Sequence, residues 1–118
     1  MQAHPQVAGV QQFSCWAVAG VCCGSDAAAF ARRQRAADAG GIEVSVAALR
    51  AHPQVAGVQQ YGCWAVASVC VGSDAAAMAR RQRAVIAGAT EAAVGAVQAH
   101  PGDAAVQRQG QALRDLLA

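Results

Sequence analysis

The chain has 118 residues, enough for one domain with a hydrophobic core. Only 14% of its residues are charged and the formal net charge is +2, which is too little to predict nucleic acid or an anionic membrane as a partner. The longest apolar run, Cys15 to Cys23, is far shorter than the ~20 residues of a membrane span, and the amino-terminal residues lack a secretory-signal pattern. The odd number of cysteines, five, suits a reducing compartment. We therefore expect a cytoplasmic or nuclear protein that makes no membrane contact.

A period of 48 residues organises the chain. Residues 3–12 return letter for letter at 51–60, and a third copy opens at Ala99. Over the full period, 34 of 48 positions are identical between the first two copies. A fixed period of this length without strand-like alternation predicts stacked helical units, which act through their surfaces.

Turn residues divide each period into three predicted helices. An N-cap pattern, Gly24-Ser25-Asp26, begins a first helix over about residues 26–38. Gly40-Gly41 provides positive backbone φ at its end, and a second helix covers about 42–51. His52-Pro53 stops that helix, because proline cannot donate a backbone hydrogen bond, and a third helix begins near Gln54.

The three helices differ in how clearly their buried faces can be predicted. The third has small and apolar residues at helical spacing: Val55, Val58, Gly62, Ala65 and Val69. The second has a similar stripe: Ile42, Val46 and Leu49. The first is weakest, and its inward candidates are Phe30, Gln34 and Ala37, with Met78 replacing Phe30 in the next copy. Its arginines are interpreted as a solvated outer face: Arg32, Arg33, Arg35, Arg80, Arg81 and Arg83.

The predicted third helix resembles that of an armadillo repeat over Val58-Gln59-Gln60-Tyr61-Gly62-Cys63-Trp64-Ala65-Val66-Ala67-Ser68. A second segment is similar to the family's first-helix ending and turn: Ala84-Val85-Ile86-Ala87-Gly88-Ala89. The resemblance covers a lone third helix (about 5–23) and two full units (about 24–71 and 72–118). It implies an all-α fold, a right-handed α-solenoid of armadillo-type three-helix repeats, with HEAT repeats as the close alternative.

In armadillo proteins that bind extended peptides, a Trp on the third helix and an Asn one turn later line the concave groove. Trp16 and Trp64 match the Trp, whereas Gly20 and Ser68 stand at the Asn positions. The resemblance therefore implies a third-helix surface that contacts a protein or peptide: Gln12, Trp16, Gln60, Trp64, Ser68 and Arg108. The alternative is that both tryptophans pack between units.

No pattern in the chain predicts catalysis, a cofactor or a metal site. Cys15 and Cys22, like Cys63 and Cys70, are seven residues apart among Val and Ala, and we interpret them as small core residues. The three histidines recur in the same turn before proline and are interpreted as turn residues or helix caps: His4, His52 and His100. No catalytic triad order, phosphate-binding loop or HExxH motif is present.

We therefore expect a non-catalytic protein-interaction scaffold that binds a protein or peptide partner through successive third helices. The first alternative is a basic helical-repeat module that binds nucleic acid through the Arg32 and Arg80 clusters. The second is a fragment of a longer armadillo array without independent function. Because each repeat buries its apolar face only against a neighbour, uncapped ends would lead to self-association.

Overall fold

The computed structural model describes Cys15 and residues 27–118, and the regular structure of that part is entirely helical. Its helices are α1 (Ala27–Asp38), α2 (Gly41–Ala51), α3 (Ala56–Cys70), α4 (Ala75–Ala87), α5 (Ala89–Ala99) and α6 (Ala104–Leu117). Each helix of the second triplet begins 48 residues after its equivalent in the first, so the helices follow the sequence period. The lone third helix predicted at about 5–23 lies, apart from Cys15, outside the described residues. None of these six helices combines the length and apolarity that crossing a bilayer requires.

Glycines make the turn between the first and second helix of each triplet. Gly40 has φ of 86° and Gly88 has φ of 94°, a left-handed conformation that residues with a Cβ rarely adopt. The N–H of Gly88 donates to the carbonyls of Ala84 and Val85, which satisfies acceptors left free at the end of α4. The turn predicted at Gly40-Gly41 is confirmed.

The second helices end at His-Pro, and a glutamine from the third helix completes the hydrogen bonding there. The Leu49 carbonyl would normally accept a bond from residue 53, but Pro53 has no N–H to donate. Gln59 reaches back from α3, and its Nε2 donates to the carbonyls of Leu49, at 2.9 Å, and His52, at 3.0 Å.

The same arrangement recurs one period later. There Pro101 is the residue without a donor, and Gln107 Nε2 donates to the carbonyls of Val97, at 2.8 Å, and His100, at 3.0 Å. The proline that ends each of these second helices thus leaves one carbonyl without its usual donor, and the glutamine side chain donates to that carbonyl.

The core lies where α3 packs against α2 on one side and α6 on the other. The faces predicted for α2 and α3 are confirmed by six fully buried residues, Ile42, Val46, Leu49, Val58, Ala65 and Val69, while Val55 is half-buried. Gly62 lets α2 approach closely, since a Cβ there would lie 2.6 Å from Leu49 Cδ2; Gly110 has the same relation to Val97. The radius of gyration is 12.7 Å, so the helices form a compact body.

The buried face predicted for the first helices is correct at Ala37, which is buried, but wrong at Phe30 and Met78. Phe30 is 48% exposed and Met78 is 62% exposed, whereas Arg33 and Arg80 are buried together with alanines of α1 and α4. The small residues of α4 let its backbone lie close to the end of α3, where Cys70 Sγ donates to the Arg80 carbonyl at 3.6 Å and a Cβ at Gly72 would lie 2.9 Å from Ala77 Cβ. Where α4 lies this close to the end of α3, an arginine can bury its aliphatic stem between them while its guanidinium reaches polar groups.

Candidate partner-binding surface

Three of the six residues predicted for the third-helix surface lie on α3. Gln60, Trp64 and Ser68 are four residues apart, which places them on one helix face. Gln60 and Trp64 are half-buried, and Ser68 is only 9% exposed. Any contact made by this part of the surface would therefore come mainly from Gln60 and Trp64.

Trp64 has both a packing contact and an exposed portion. Its indole and the Tyr61 ring lie with centroids 6.2 Å apart and planes inclined at 42°. Both side chains pack against a buried cluster that includes Cys15 and Val58. An aromatic side chain that is anchored on one side and open on the other offers contact area at a low entropic cost.

Arg108 occupies on α6 the position that Gln60 occupies on α3, and it is exposed. The two helices that carry these residues, α3 and α6, pack against each other. The next equivalent positions on α6 are Ala112, which is exposed, and Leu116, which is half-buried. Gln12 and Trp16 lie outside the described residues.

The arginines of α4, candidates for binding phosphate, are engaged inside the protein. Arg80 is 5% exposed; its Nε donates to the Val69 carbonyl at 2.7 Å and its Nη1 to Gln34 Oε1 at 2.8 Å. Arg81 Nη1 donates to the carbonyls of Cys70, at 3.0 Å, and Gly72, at 2.7 Å. These carbonyls belong to the end of α3 and the turn after it, where free acceptors and the negative end of the helix dipole attract a cation.

The remaining arginines of the two clusters vary in their exposure. Arg83 Nε donates to Glu43 Oε2 at 2.7 Å, and this bond, with the charge of the carboxylate, raises the pKa of Arg83. On α1, the guanidinium of Arg33 lies 5.2 Å from the centroid of the Phe30 ring and the residue is buried, while Arg35 is exposed. The solvated face predicted for the first helices is thus partly a set of contacts between units.

The described cysteines have the environment of core residues. Cys15, Cys63 and Cys70 are free thiols with no exposed surface. Burial raises the pKa of Cys63 to about 12, with a smaller contribution from Cys15, and raises the pKa of Cys15 and of Cys70 to about 11. Because the thiolate is the reactive form, these groups are unreactive at neutral pH.

The described histidines lie in the turns after the second helices. His100 Nε2 donates to the Pro53 carbonyl at 2.9 Å, so the turn of one unit is tied to the equivalent turn of the other. His52 also caps α2, since its backbone N–H donates to the Ala48 carbonyl. Within Cys15 and residues 27–118, no three His, Cys, Asp or Glu side chains come together as metal ligands would.

The role of Gln59 and Gln107 was not predicted from the sequence, which instead led to a binding role for their neighbours Gln60 and Arg108. The pattern that could have revealed them is a glutamine six residues after the proline in every copy: Pro5 with Gln11, Pro53 with Gln59 and Pro101 with Gln107. A polar residue that recurs on an apolar helix at a constant distance from a proline indicates that its side chain hydrogen-bonds a backbone carbonyl, because the proline has no N–H to donate to it.

Comparison with known proteins identifies no relative. No protein-family model matches the chain, and neither the curated proteins nor the solved structures contain a match. The functional interpretation therefore depends on the geometry of the described residues.

Proposed function

We propose that the chain is a non-catalytic protein-interaction scaffold of the armadillo type, which binds a protein or peptide on the surface of its successive third helices. The observation that carries the proposal is the partly exposed indole of Trp64, which lies on the same face of α3 as Gln60, while Arg108 is exposed at the equivalent position on α6. Trp and Arg are the residue types most enriched at the energetic centres of protein interfaces.

The arrangement of helices supports the armadillo interpretation. Three helices recur at the sequence period, and the third helices of the two triplets pack extensively against each other. In such a stack, equivalent third-helix positions form a continuous row that an extended segment can follow. A cytoplasmic or nuclear location fits a partner surface accompanied by three buried free thiols.

The arginine contacts favour this proposal over nucleic-acid binding. A phosphate-binding track requires guanidinium groups that are free to neutralise phosphates. Arg80 and Arg81 instead donate to the carbonyls at the end of α3, and Arg83 is paired with Glu43. The α4 cluster therefore has little unpaired positive charge to offer.

The test is selection of a random 12-residue phage-displayed peptide library on the full chain, followed by affinity measurements with fluorescein-labelled synthetic peptides. We expect Trp64→Ala to weaken the selected peptides roughly thirtyfold, the loss typical of an interface tryptophan. Arg108→Ala should weaken these peptides less, because an exposed charged side chain contributes little to affinity. Ile86→Asp, at an exposed position on α4, is the matched control and should leave the affinity of the Trp64-dependent peptides unchanged.

Trp64→Phe separates binding from stability, because it keeps an aromatic ring against the cluster that Trp64 contacts. The proposal is refuted if the selection yields no peptide family that binds Trp64→Ala more weakly than wild type. Labelled oligonucleotides provide the other decisive outcome: tight binding that falls steeply as salt rises would favour the nucleic-acid module.

A further inference from the structure

Two hollows lie between α2 and α4, on a part of the molecule that no third helix forms. One, of about 290 Å³, is bordered by Gln82, Arg83 and Ile86 of α4. The other, of about 470 Å³, extends along α2 past Val46 and Ala47 to Arg50. Both are lined by Glu43 and Ala87, so together they form one α2/α4 groove with a mainly apolar lining.

The apolar rim of this groove is specific to the second triplet. Ten of the 13 residues of α4 repeat those at 27–39, and the three that differ are Met78, Val85 and Ile86 in place of Phe30, Ala37 and Asp38. Ile86 is 81% exposed, although isoleucine is among the residue types most often buried. An acid in one copy has thus become an exposed large apolar side chain in the other, beside a hollow.

Charge at the groove is unbalanced. The Glu43 carboxylate is occupied by Arg83, whereas Arg50, which is exposed, makes no ion pair or hydrogen bond within the described residues. Glu43 and Arg50 are seven residues apart on the same face of α2, about 10 Å along the helix axis. The groove therefore presents one unpaired positive charge at the end away from the ion pair.

Arg50 lies beside the turn between α4 and α5. Its guanidinium occupies the space that a Cβ at Gly88 would require, and Gly88 has left-handed φ of 94°. The glycine at this turn therefore leaves room for Arg50 beside the groove.

From this combination we propose that the α2/α4 groove is a second docking surface, whose occupant is an apolar segment of a protein partner that carries an aspartate or glutamate. Apolar side chains of that segment cover Ile86 and enter the hollows, and its carboxylate pairs with Arg50. The unpaired cation selects an acidic segment, because a basic one would meet Arg50 without compensation. Binding here leaves the third-helix surface free for another partner.

The experiment uses the same 12-residue phage library, with selected clones sorted by whether Ile86→Asp abolishes their binding. This substitution restores the residue of the first copy at a highly exposed position, so the thermal midpoint should be unchanged. Arg50→Gln likewise introduces the residue of the next copy, Gln98. Synthetic peptides, each paired with a version in which its acid is replaced by the amide, are then titrated by fluorescence anisotropy.

We expect the Ile86-dependent peptides to contain an acid flanked by apolar residues. Ile86→Asp should weaken them by at least about tenfold, since an apolar contact is lost and a like charge is added. Arg50→Gln and the acid-to-amide change should each weaken them severalfold and not additively, while Trp64→Ala leaves them unaffected. Three results would overturn the inference: no peptide family that depends on Ile86, Ile86-dependent peptides that need no acid, or a dimer that Ile86→Asp converts to monomer in sedimentation equilibrium.

Discussion

Replacing Gln59 by methionine should destabilise the protein far more than the same replacement of its neighbour Gln60. Gln59 is 2% exposed, and its Nε2 donates to two carbonyls, one of which has no other donor because residue 53 is proline. Methionine has nearly the same length and fills the same space, so the change removes the hydrogen bonds and leaves no cavity.

The expected magnitude follows from those two bonds. Each contributes about 1 kcal/mol net, and a buried carbonyl left without a donor adds to the loss, so Gln59→Met should cost roughly 2 to 3 kcal/mol. Gln107 makes the same pair of bonds but is half-buried, and water can replace its amide in part. We expect Gln107→Met to cost about 1 kcal/mol.

Urea unfolding followed by circular dichroism measures these differences. A cost of 2 kcal/mol corresponds to a midpoint lower by about 1 to 2 M for a chain of this size. Gln60→Met is the matched control, since Gln60 makes no hydrogen bond within the described residues, and it should stay within about 0.5 kcal/mol of wild type. Equal midpoints for the Gln59 and Gln60 variants would refute the assigned role of Gln59.

Two further predictions concern the contacts between units and the buried thiols. Arg80→Met should lower the free energy of unfolding by roughly 3 kcal/mol, because it leaves the Val69 carbonyl and the Gln34 amide oxygen without a charged donor. The control, Arg35→Met, changes an exposed residue and should be nearly neutral. A similar urea midpoint for the two variants would show that the Arg80 hydrogen bonds are dispensable. Burial raises the pKa of the three described thiols to about 11 or 12. The stability that depends on their protonation is therefore complete below pH 9. As pH rises from 9 towards the raised values, the thiols of the unfolded chain ionise first, and the free energy of unfolding falls by roughly 2 kcal/mol per thiol at pH 10.5. Cys70→Ala should make the fall in urea midpoint between pH 9 and 10.5 shallower, and an unchanged slope would contradict the assignment.

The helices could be predicted from the sequence because their ends are determined locally. Gly40 adopts positive φ and Pro53 lacks an N–H regardless of what packs around them, so α2 begins and ends within a residue of the prediction. The apolar stripes of α2 and α3 could also be predicted from the sequence, since both helices have valine, leucine or isoleucine at helical spacing.

The orientation of the first helices could not be predicted in the same way. Periodicity assumes that the largest apolar residue points inward, which led to the prediction for Phe30 and Met78. The orientation of α4 instead depends on the free carbonyls at the end of α3, to which Arg80 and Arg81 donate from the next helix, 11 residues further along the chain. Such a requirement becomes visible only when the two helices are placed together. The α2/α4 groove was missed for the same reason, because its two sides come from different units.

A comparison among the three copies distinguishes residues that the fold requires from those that it does not. Proline and glutamine at their six-residue spacing persist in all three copies, and in the two copies that the structure describes the glutamine donates to the carbonyl that the proline leaves without a donor. Tryptophan does not persist: Trp16 and Trp64 are followed by Ala112, and α6 forms and packs against α3 without it. Within the described residues the Trp64 indole makes no hydrogen bond, so it contributes to the fold by packing alone, against the cluster that includes Cys15 and Val58. This difference favours a contact with a partner as the reason for Trp64, and the Trp64→Phe and Trp64→Ala variants test that reason directly.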